Sequence, residues 1–343
     1  MAGLRLLLKL RHAPHPWDDL WRAIAVEHPV RDEWWDERTL VPLLDRVQVP
    51  AYLGCDWENV PLHLPGSLTA VNALPNSPHV RVALLGDQGI SWPWESLHVE
   101  ALAWYDHWLK GRDTGILDGP AIRYQLRKGE ADGWHIADTW PVRGAAHREL
   151  ALRGDGTLGT SEGEAGQRTY MTLGAGLNRA KASEADPPSS LTWETESFAG
   201  DLDVLGNIEL RLDATASASD TAWIVTLQDV APDGTATDVT AGFLRASLRA
   251  VDESVSETGA PSVPCTSPAL VPVNQAVSYR IPVVGTGCRF AAGHRLRLVL
   301  ASDDQDPNFP AMMTFRHASV GTSSLNRVSA TSRLPLPLAA GKL

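Results

Sequence analysis

The period of the hydrophobic pattern changes near residue 120. Before that point, apolar runs of strand length alternate with helical stretches. Residues 80–85, for example, form a strand-length run that is apolar except for Arg81 and is closed by Gly86, and residues 95–109 have helical spacing. After that point, the apolar residues fall into short alternating runs separated by turn residues. The sequence therefore predicts an α/β part followed by an all-β part.

The first part has the pattern of a parallel sheet covered by helices. Strands are predicted at 47–54 and 80–85, and helices around 68–74 and 95–109; a helix capped by Asp18 and another over 32–46 precede them. Apolar runs without alternation indicate strands that are buried on both faces. Two strand–helix units are too few for a whole doubly wound domain, so we expect the final portion of one.

The second part is typical of a β-sandwich. Strands are predicted at 122–127, 148–152, 202–212, 223–230, 241–249, 278–284 and 294–300. The tetrapeptide Ala231-Pro232-Asp233-Gly234 predicts a hairpin turn between two of them. A jelly roll is the architecture that these strands favour.

Charge and composition exclude several classes of partner. Acidic residues outnumber basic residues by 41 to 30, which gives a net charge of −11 and argues against binding to nucleic acid. The apolar N-terminus is interrupted by Lys9, and no run approaches the roughly 20 apolar residues that span a bilayer. We therefore expect a cytoplasmic protein that binds neither nucleic acid nor membranes.

The three cysteines do not predict a metal site. Cys55, Cys265 and Cys288 lie far apart and lack the spacing of zinc ligands. Cys265 and Cys288 are left either as a disulfide pair or as free thiols. The stretch 304–308 begins like a calcium loop, but Phe309 stands where the loop needs glycine. No metal and no cofactor is expected.

A nine-residue segment carries a family resemblance. Residues 103–111 read Ala-Trp-Tyr-Asp-His-Trp-Leu-Lys-Gly, which resembles the end of the hydrolase domain in the cocaine esterase and Xaa-Pro dipeptidyl-peptidase family. Further similar stretches follow in the family's order at 134–141, 227–234, 293–298 and 332–337. The resemblance covers nearly the whole chain.

The resemblance implies a fold and a class of activity. The family combines an α/β-hydrolase domain and its helical cap with a C-terminal jelly roll of the galactose-binding-like type. On that basis, residues 1–46 are the remnant of the cap, 47–118 the C-terminal part of the hydrolase domain, and 119–343 the jelly roll. Family members cleave esters, amides or an N-terminal Xaa-Pro dipeptide with a Ser-His-Asp triad.

The nucleophile serine is not found in the expected context. Such a serine sits in a G-x-S-x-G turn between a strand and a helix. The one match, Gly-Thr-Ser-Glu-Gly at 159–163, is followed by residues that are poor helix starters, and it lies after the hydrolase part. We expect Ser161 to lie in a surface loop.

The other two triad positions are also altered. By resemblance, the acid position after the first strand falls on Asn59, with Asp56 and Glu58 nearby as substitutes. The family histidine would lie within 86–90, which contains none; His98 is the alternative. Asp56, Asn59 and His98 are therefore the candidate catalytic residues. Each could instead have an ordinary structural role in a loop or on a helix.

Tryptophans near these positions are candidates for an apolar substrate pocket. Trp57, Trp92 and Trp94 are placed there, whereas the helical spacing of Trp104 and Trp108 favours packing between the two parts of the chain.

The sequence supports three functional hypotheses. The first is a serine hydrolase represented by its C-terminal half, which acts on a small ester or peptide only with an upstream hydrolase segment. The second is a non-catalytic jelly-roll binding protein. The third is an inactive truncated paralogue, whose open sheet edge would favour association with another chain, including formation of a homo-oligomer.

Overall fold

The computed structural model describes residues 17–60, 62–86, 93–129, 133–172, 188–302 and 323–341. The helices are α1 (Trp17–Arg22), α2 (Glu33–Asp36), α3 (Leu64–Asn72) and α4 (Pro93–Lys110), with a π-helical turn at Ala23–Glu27 and 3₁₀ turns at Val41–Arg46 and Ala246–Leu248. The strands are β1 (Ala51–Asp56), β2 (Val80–Leu85), β3 (Ile122–Gln125), β4 (Trp134–Ala137), β5 (Ala146–Leu152), β6 (Leu158–Gly159), β7 (Gln167–Thr172), β8 (Ser190–Glu194), β9 (Leu202–Ala216), β10 (Ala222–Val230), β11 (Ala236–Arg245), β12 (Val277–Phe290), β13 (Arg295–Ala301), β14 (Ser324–Ser329) and β15 (Arg333–Ala340).

The first sheet has four strands in the order β1-β2-β3-β4. Strands β1, β2 and β3 are parallel, and β4 is antiparallel to β3. From Val82 to Leu85, strand β2 is buried on both faces, as the apolar run of these four residues predicts. Val82 and Leu84 belong to an apolar cluster that includes residues of α3 and the second sheet, whereas Ala83 and Leu85 pack with Leu97 of α4.

Strand β3 lies in a different sheet from the one that the sequence pattern predicts. The run 122–127 has the short-strand pattern of the sandwich, yet Ile122 and Tyr124 pair with Val82 and Leu84 of β2. Ile122, Tyr124 and Leu126 complete the apolar cluster on that face of the first sheet. The change in sequence pattern near residue 120 thus precedes the change of sheet, because β3 and β4 extend the parallel sheet.

The second sheet contains eleven strands folded around one large core. Nine follow the order β6-β5-β15-β9-β12-β11-β10-β13-β8, while β14 pairs with β7 and β9. The core holds fully buried aromatic side chains, among them Tyr170, Trp193, Trp223 and Phe290. The turn predicted at 231–234 joins β10 to β11, with Gly234 at a φ of 88°. The chain is therefore mostly β, as a β-sandwich requires.

The helix predicted over 32–46 is replaced by two short pieces. Asp32 caps α2 by accepting a hydrogen bond from the Trp34 N–H at 3.0 Å. Pro42 then opens the 3₁₀ turn. Proline has no N–H and its ring clashes with the preceding turn, so it cannot continue a regular helix but fits at the start of a new one.

The described residues contain neither a disulfide nor a helix that could span a membrane. All three cysteines are free thiols, so Cys265 and Cys288 do not form a disulfide. None of the described helices combines the length and apolar character needed to cross a bilayer.

Candidate functional site

The candidate site lies at the carboxyl end of β1. Side chains alternate between the faces of a strand. Tyr52 belongs to the cluster beneath α4 and Cys55 to the cluster shared with the second sheet. Asp56 is therefore on the α4 face, and Trp57 continues on the opposite face. Consecutive residues thus enter two different environments.

Asp56 is a buried carboxylate, with 1% of its surface exposed. Its Oδ1 accepts a hydrogen bond from the Glu58 N–H at 3.0 Å. Burial raises the pKa of Asp56, the charge of Glu58 adds to that rise, and the backbone hydrogen bonds of Glu58 and Asn59 oppose it. A carboxyl group with a raised pKa at the end of a parallel strand fits a functional site, although structural burial has the same effect.

The raised pKa predicts a stabilising substitution. Below the ordinary carboxyl pKa of about 3.9, Asp56 is protonated in both the folded and unfolded states, so no charge is buried. The cost of burying the charge develops as pH rises through the folded-state pKa. We expect Asp56→Asn to raise the free energy of unfolding at pH 7 by about 1.4 kcal/mol per unit of pKa elevation, and to have no such effect near pH 3.

Urea unfolding of Asp56→Asn at pH 3 and pH 7 measures this difference. Asp155→Asn is the control of opposite sign, because hydrogen bonds from Thr157 lower the pKa of Asp155. Its carboxylate stabilises the fold above the unfolded pKa, so this variant should lose stability at pH 7. Equal losses in both variants at pH 7 would contradict the role given to burial.

Asn59 helps to start α3. Its side-chain oxygen accepts a hydrogen bond from the His63 N–H at 3.3 Å, and its carbonyl accepts from the N–H groups of Leu62 and Leu64. The side chain thus has a local structural role in the turn before the helix. Its assignment as the triad position remains a prediction.

Trp57 is completely buried where a pocket residue was expected. Its Nε1 donates to the Gln125 carbonyl at 2.6 Å, and its ring lies 5.6 Å from that of Trp140. A Cβ atom at Gly287 of β12 would approach the ring to 2.8 Å. Trp57 is therefore a packing residue between the two sheets, with no surface left for a ligand.

The remaining candidates are on or before α4. His98 is exposed and follows Leu97, which packs on Leu85 beside β1. The histidine is thus on the outer side of the helix. Trp92, the side chain of Trp94, and residues 87–90, where the family histidine was sought, lie outside the described part of the chain.

Arg127 is an interface residue that the sequence did not indicate. Its side chain is 5% exposed, and its Nη2 contacts the Glu58 carboxylate at 3.0 Å. Its Nη1 donates to the carbonyls of Asp238 and Val239 at 3.0 and 2.9 Å. One guanidinium thus joins the loop after β1 to β11 of the second sheet.

Lys128 makes a second connection beside Arg127. Its Nζ lies 2.6 Å from Oδ2 of Asp229, whose side chain is fully buried and whose Oδ1 lies 2.9 Å from Nδ1 of His294. Asp229 is a charged residue at a buried position of β10, and this is a signal in the sequence because such a charge needs a partner. The partner, Lys128, lies 101 residues away and cannot be predicted from local spacing.

Ser161 lies in an exposed loop, as the sequence predicts. Strand β6 ends at Gly159 and β7 begins at Gln167, with no helix between them. The Ser161 hydroxyl accepts a hydrogen bond from Arg153 at 2.9 Å. This arrangement lacks the strand-to-helix turn on which a serine nucleophile of this class is mounted.

No metal centre is formed in the parts of the chain that the structure describes. No three His, Cys, Asp or Glu side chains there are grouped closely enough to hold an ion. The calcium-like stretch at 304–308 lies outside those parts.

A short, mostly parallel sheet packed against a larger β structure is an arrangement that solved proteins share. A CocE/NonD family hydrolase from Staphylococcus aureus has this fold, with a TM-score of 0.75 at 20% identity; the match covers 91% of this chain and 58% of that one. Residues 114–314 also match the family described as "X-Pro dipeptidyl-peptidase C-terminal non-catalytic domain". Because the match spans more than half of the sequence, the chain belongs to that family.

Two curated relatives carry enzyme names. Cocaine esterase from Rhodococcus sp. is 24% identical over 83% of this chain and 53% of its own length. A putative Xaa-Pro dipeptidyl-peptidase from Streptomyces avermitilis is 25% identical over 92% of this chain and 51% of its own length. The chain thus spans about half the length of these relatives.

Proposed function

We propose that this chain is the C-terminal half of a serine hydrolase of the esterase or Xaa-Pro dipeptidyl-peptidase type. In this proposal, β1 and β2 are the last strands of an α/β-hydrolase sheet, and the second sheet is the jelly roll of the family. The half that carries the nucleophile completes the enzyme. The substrate is a small ester or a peptide.

The observation that carries the proposal is the similarity to two relatives with hydrolase names along most of the chain. That similarity extends well beyond the non-catalytic domain, because it covers 83% and 92% of the residues. The parallel arrangement of β1 and β2 supports it, since active sites of open α/β sheets form at the carboxyl ends of the strands. Asp56 lies at that end.

The described residues of this chain do not present the groups that catalysis by this class requires. Acyl transfer by this class needs a serine on a strand-to-helix turn and a base within hydrogen-bonding distance of it. Within the described residues, Ser161 is bonded to Arg153 in a loop, and His98 is on the outer side of α4. We therefore expect turnover only when a nucleophile-bearing segment is present.

Hydrolysis assays test this expectation. The purified chain should release no product from 4-nitrophenyl acetate or Ala-Pro-4-nitroanilide above the buffer rate, and a fluorophosphonate probe should leave Ser161 unlabelled. Co-expression with the half of a relative that lies outside the match should produce turnover. Activity of the chain alone that Ser161→Ala abolishes would refute the proposal.

A polar groove on the second sheet favours the binding-protein alternative. Its volume is about 310 Å³, and its walls include Gln167, Asp213, Ser278, Arg327, Ser329 and Thr331. Hydroxyl, carboxylate and guanidinium groups together suit a sugar or a peptide. Binding on a glycan or peptide array that Arg327→Ala removes would support this alternative, and an array without a hit would count against it.

A further inference from the structure

The polar groove of the second sheet lies on one face of β9 and β14. Arg327 of β14 pairs with Thr215 of β9, so the two side chains are directly opposite each other on the same face. Asp213 and Ser329, two residues away on each strand, lie on that face as well because side chains alternate. Val328, between Arg327 and Ser329, instead packs in the core with 1% of its surface exposed. The four outward side chains therefore form two neighbouring rows of the groove wall.

Arg327 and Thr215 each carry a polar group that has no partner among the described residues. The Arg327 guanidinium makes no hydrogen bond or ion pair within the described chain. The Thr215 hydroxyl is buried and is likewise unbonded there. A buried hydroxyl without a partner costs free energy, and the guanidinium beside it offers planar donors that suit a carboxylate. This row of the groove is thus a candidate site for a ligand carboxylate.

Asp213 supplies the opposite charge in the second row. Its Oδ1 accepts a hydrogen bond from the Ser278 hydroxyl at 2.5 Å, and its Oδ2 accepts one from the Thr331 hydroxyl at 2.6 Å. These hydroxyls orient the carboxylate but carry no charge, and no cation of the described chain forms an ion pair with it. The carboxylate is therefore a candidate partner for a ligand ammonium group, since hydrogen bonds between ionised groups are the strong ones.

A neighbouring charge on the same face is fully paired, which sets the groove apart. Arg211, the next outward residue of β9, lies 2.7 Å from the Glu149 carboxylate and 2.8 Å from the Glu209 carboxylate. Within the described chain, by contrast, Arg327 lacks an anion and Asp213 lacks a cation. An uncharged sugar would leave both charges unpaired. A ligand that carries one charge of each sign would pair them both.

The separation of the two charges sets the length of the ligand. Arg327 and Asp213 are diagonal neighbours across the antiparallel pair of β9 and β14, and such neighbours lie about 7–8 Å apart. Each residue of an extended peptide spans roughly 3.3–3.6 Å, so the ammonium and carboxylate of a dipeptide are about 7 Å apart. A free amino acid is too short to reach both groups, and a tetrapeptide is about twice as long as required.

We propose that this groove binds a free dipeptide, with the ligand carboxylate on Arg327 and Thr215 and the ligand ammonium on Asp213. The inference goes beyond the hydrolase proposal, because the groove is built from the second sheet and its loops and not from the carboxyl end of β1. Binding does not require the nucleophile-bearing half, so each proposal can fail without the other. The inference also names a ligand class for the binding-protein alternative.

Calorimetric titration of the full chain with alanyl-alanine tests the ligand. We expect saturable one-to-one binding. N-acetyl-alanyl-alanine lacks the ammonium and alanyl-alanine amide lacks the carboxylate, so each should bind at least about tenfold more weakly because a charge-assisted hydrogen bond is lost. Alanine and tetra-alanine should also bind at least about tenfold more weakly, because neither matches the separation of the two charges.

Two variants assign the ends of the ligand. Arg327→Gln should weaken binding of alanyl-alanine at least about tenfold and make it insensitive to amidation of the ligand, because the ligand carboxylate has lost its partner. Asp213→Asn should weaken binding to a similar extent and make it insensitive to N-acetylation of the ligand. Arg143→Gln is the matched control, since Arg143 is exposed between β4 and β5, outside the groove, and should leave binding unchanged.

Thermal unfolding of Arg327→Gln tests whether the guanidinium is unpaired in the folded chain. The melting temperature should stay within about 3 °C of that of the unmodified chain, because no internal partner is lost. A larger drop would show that Arg327 already has such a partner and would overturn the site. Absence of saturable binding of alanyl-alanine, or binding that neither terminal modification weakens, would overturn the dipeptide as its ligand. Glycan binding that depends on Arg327, without binding of alanyl-alanine, would do the same.

Discussion

Replacing Trp57 with alanine is expected to lower the free energy of unfolding by about 3–5 kcal/mol. The ring is completely buried between the two sheets, so its removal leaves a cavity beside Trp140 and Gly287 and strips the Gln125 carbonyl of its donor. Such a loss is a large fraction of the 5–15 kcal/mol that typically stabilises a protein. Guanidinium unfolding followed by far-ultraviolet circular dichroism measures it.

Trp21→Ala is the matched control for this prediction. The Trp21 side chain is 70% exposed on α1, so its removal should change the free energy of unfolding by no more than about 0.5 kcal/mol. If Trp57→Ala were as mild as this control, the contact between the sheets would not depend on the buried ring.

Replacing Arg127 with methionine is expected to cost about 3–5 kcal/mol. Methionine fills similar space, but it leaves the Glu58 carboxylate and the carbonyls of Asp238 and Val239 without the guanidinium that joins them. The Glu58 side chain is 29% exposed, so water recovers part of the loss and the lower end of the range applies. Thermal unfolding at neutral pH provides the measurement.

Two further variants test the cause of that loss. Arg127→Lys keeps the charge but cannot reach the carboxylate and two carbonyls from one planar group, so an intermediate loss is expected. Arg22→Met removes an exposed ion pair with Glu27 and should cost less than about 1 kcal/mol. An Arg127→Met variant as stable as Arg22→Met would contradict the bridging role.

The parallel sheet was the part of the fold that local sequence pattern predicted best. Strand β2 occupies the predicted residues 80–85, and α4 begins two residues before and ends one residue after the predicted 95–109. A strand buried on both faces has an unbroken apolar run, and a glycine after it ends the pattern sharply. Strong periodicity over 15 residues likewise fixes a helix.

Strand β15 shows what such patterns miss. Pro335 and Pro337 argue against a strand in the interior of a sheet, yet β15 lies between β5 and β9. Its ladder with β9 is interrupted between Arg333 and Leu338, and both prolines fall in that gap. The missing N–H groups are therefore tolerated because of a tertiary irregularity that no local rule predicts.

The sequence indicated where along the chain the candidate residues lie, but not which residues pack around them. The sequence placed Asp56, Trp57 and Asn59 after a buried strand; in the structure Asp56 is the last residue of β1, Trp57 and Asn59 follow it, and only the end of β1 is buried. It could not show that Trp57 would be sealed against Gly287, because that contact joins residues 230 positions apart. For the same reason Arg127, whose partners lie as far away as β11, carried no local signal.

The placement of β3 and β4 has a practical consequence for cloning. A recombinant fragment that starts at residue 114, where the family match begins, would retain this hairpin but lose β1 and β2. The apolar side chains of Ile122, Tyr124 and Leu126 would then be bared to solvent. Such a fragment should aggregate. A fragment that starts after residue 141 lacks β3 and β4, so it does not expose these three side chains.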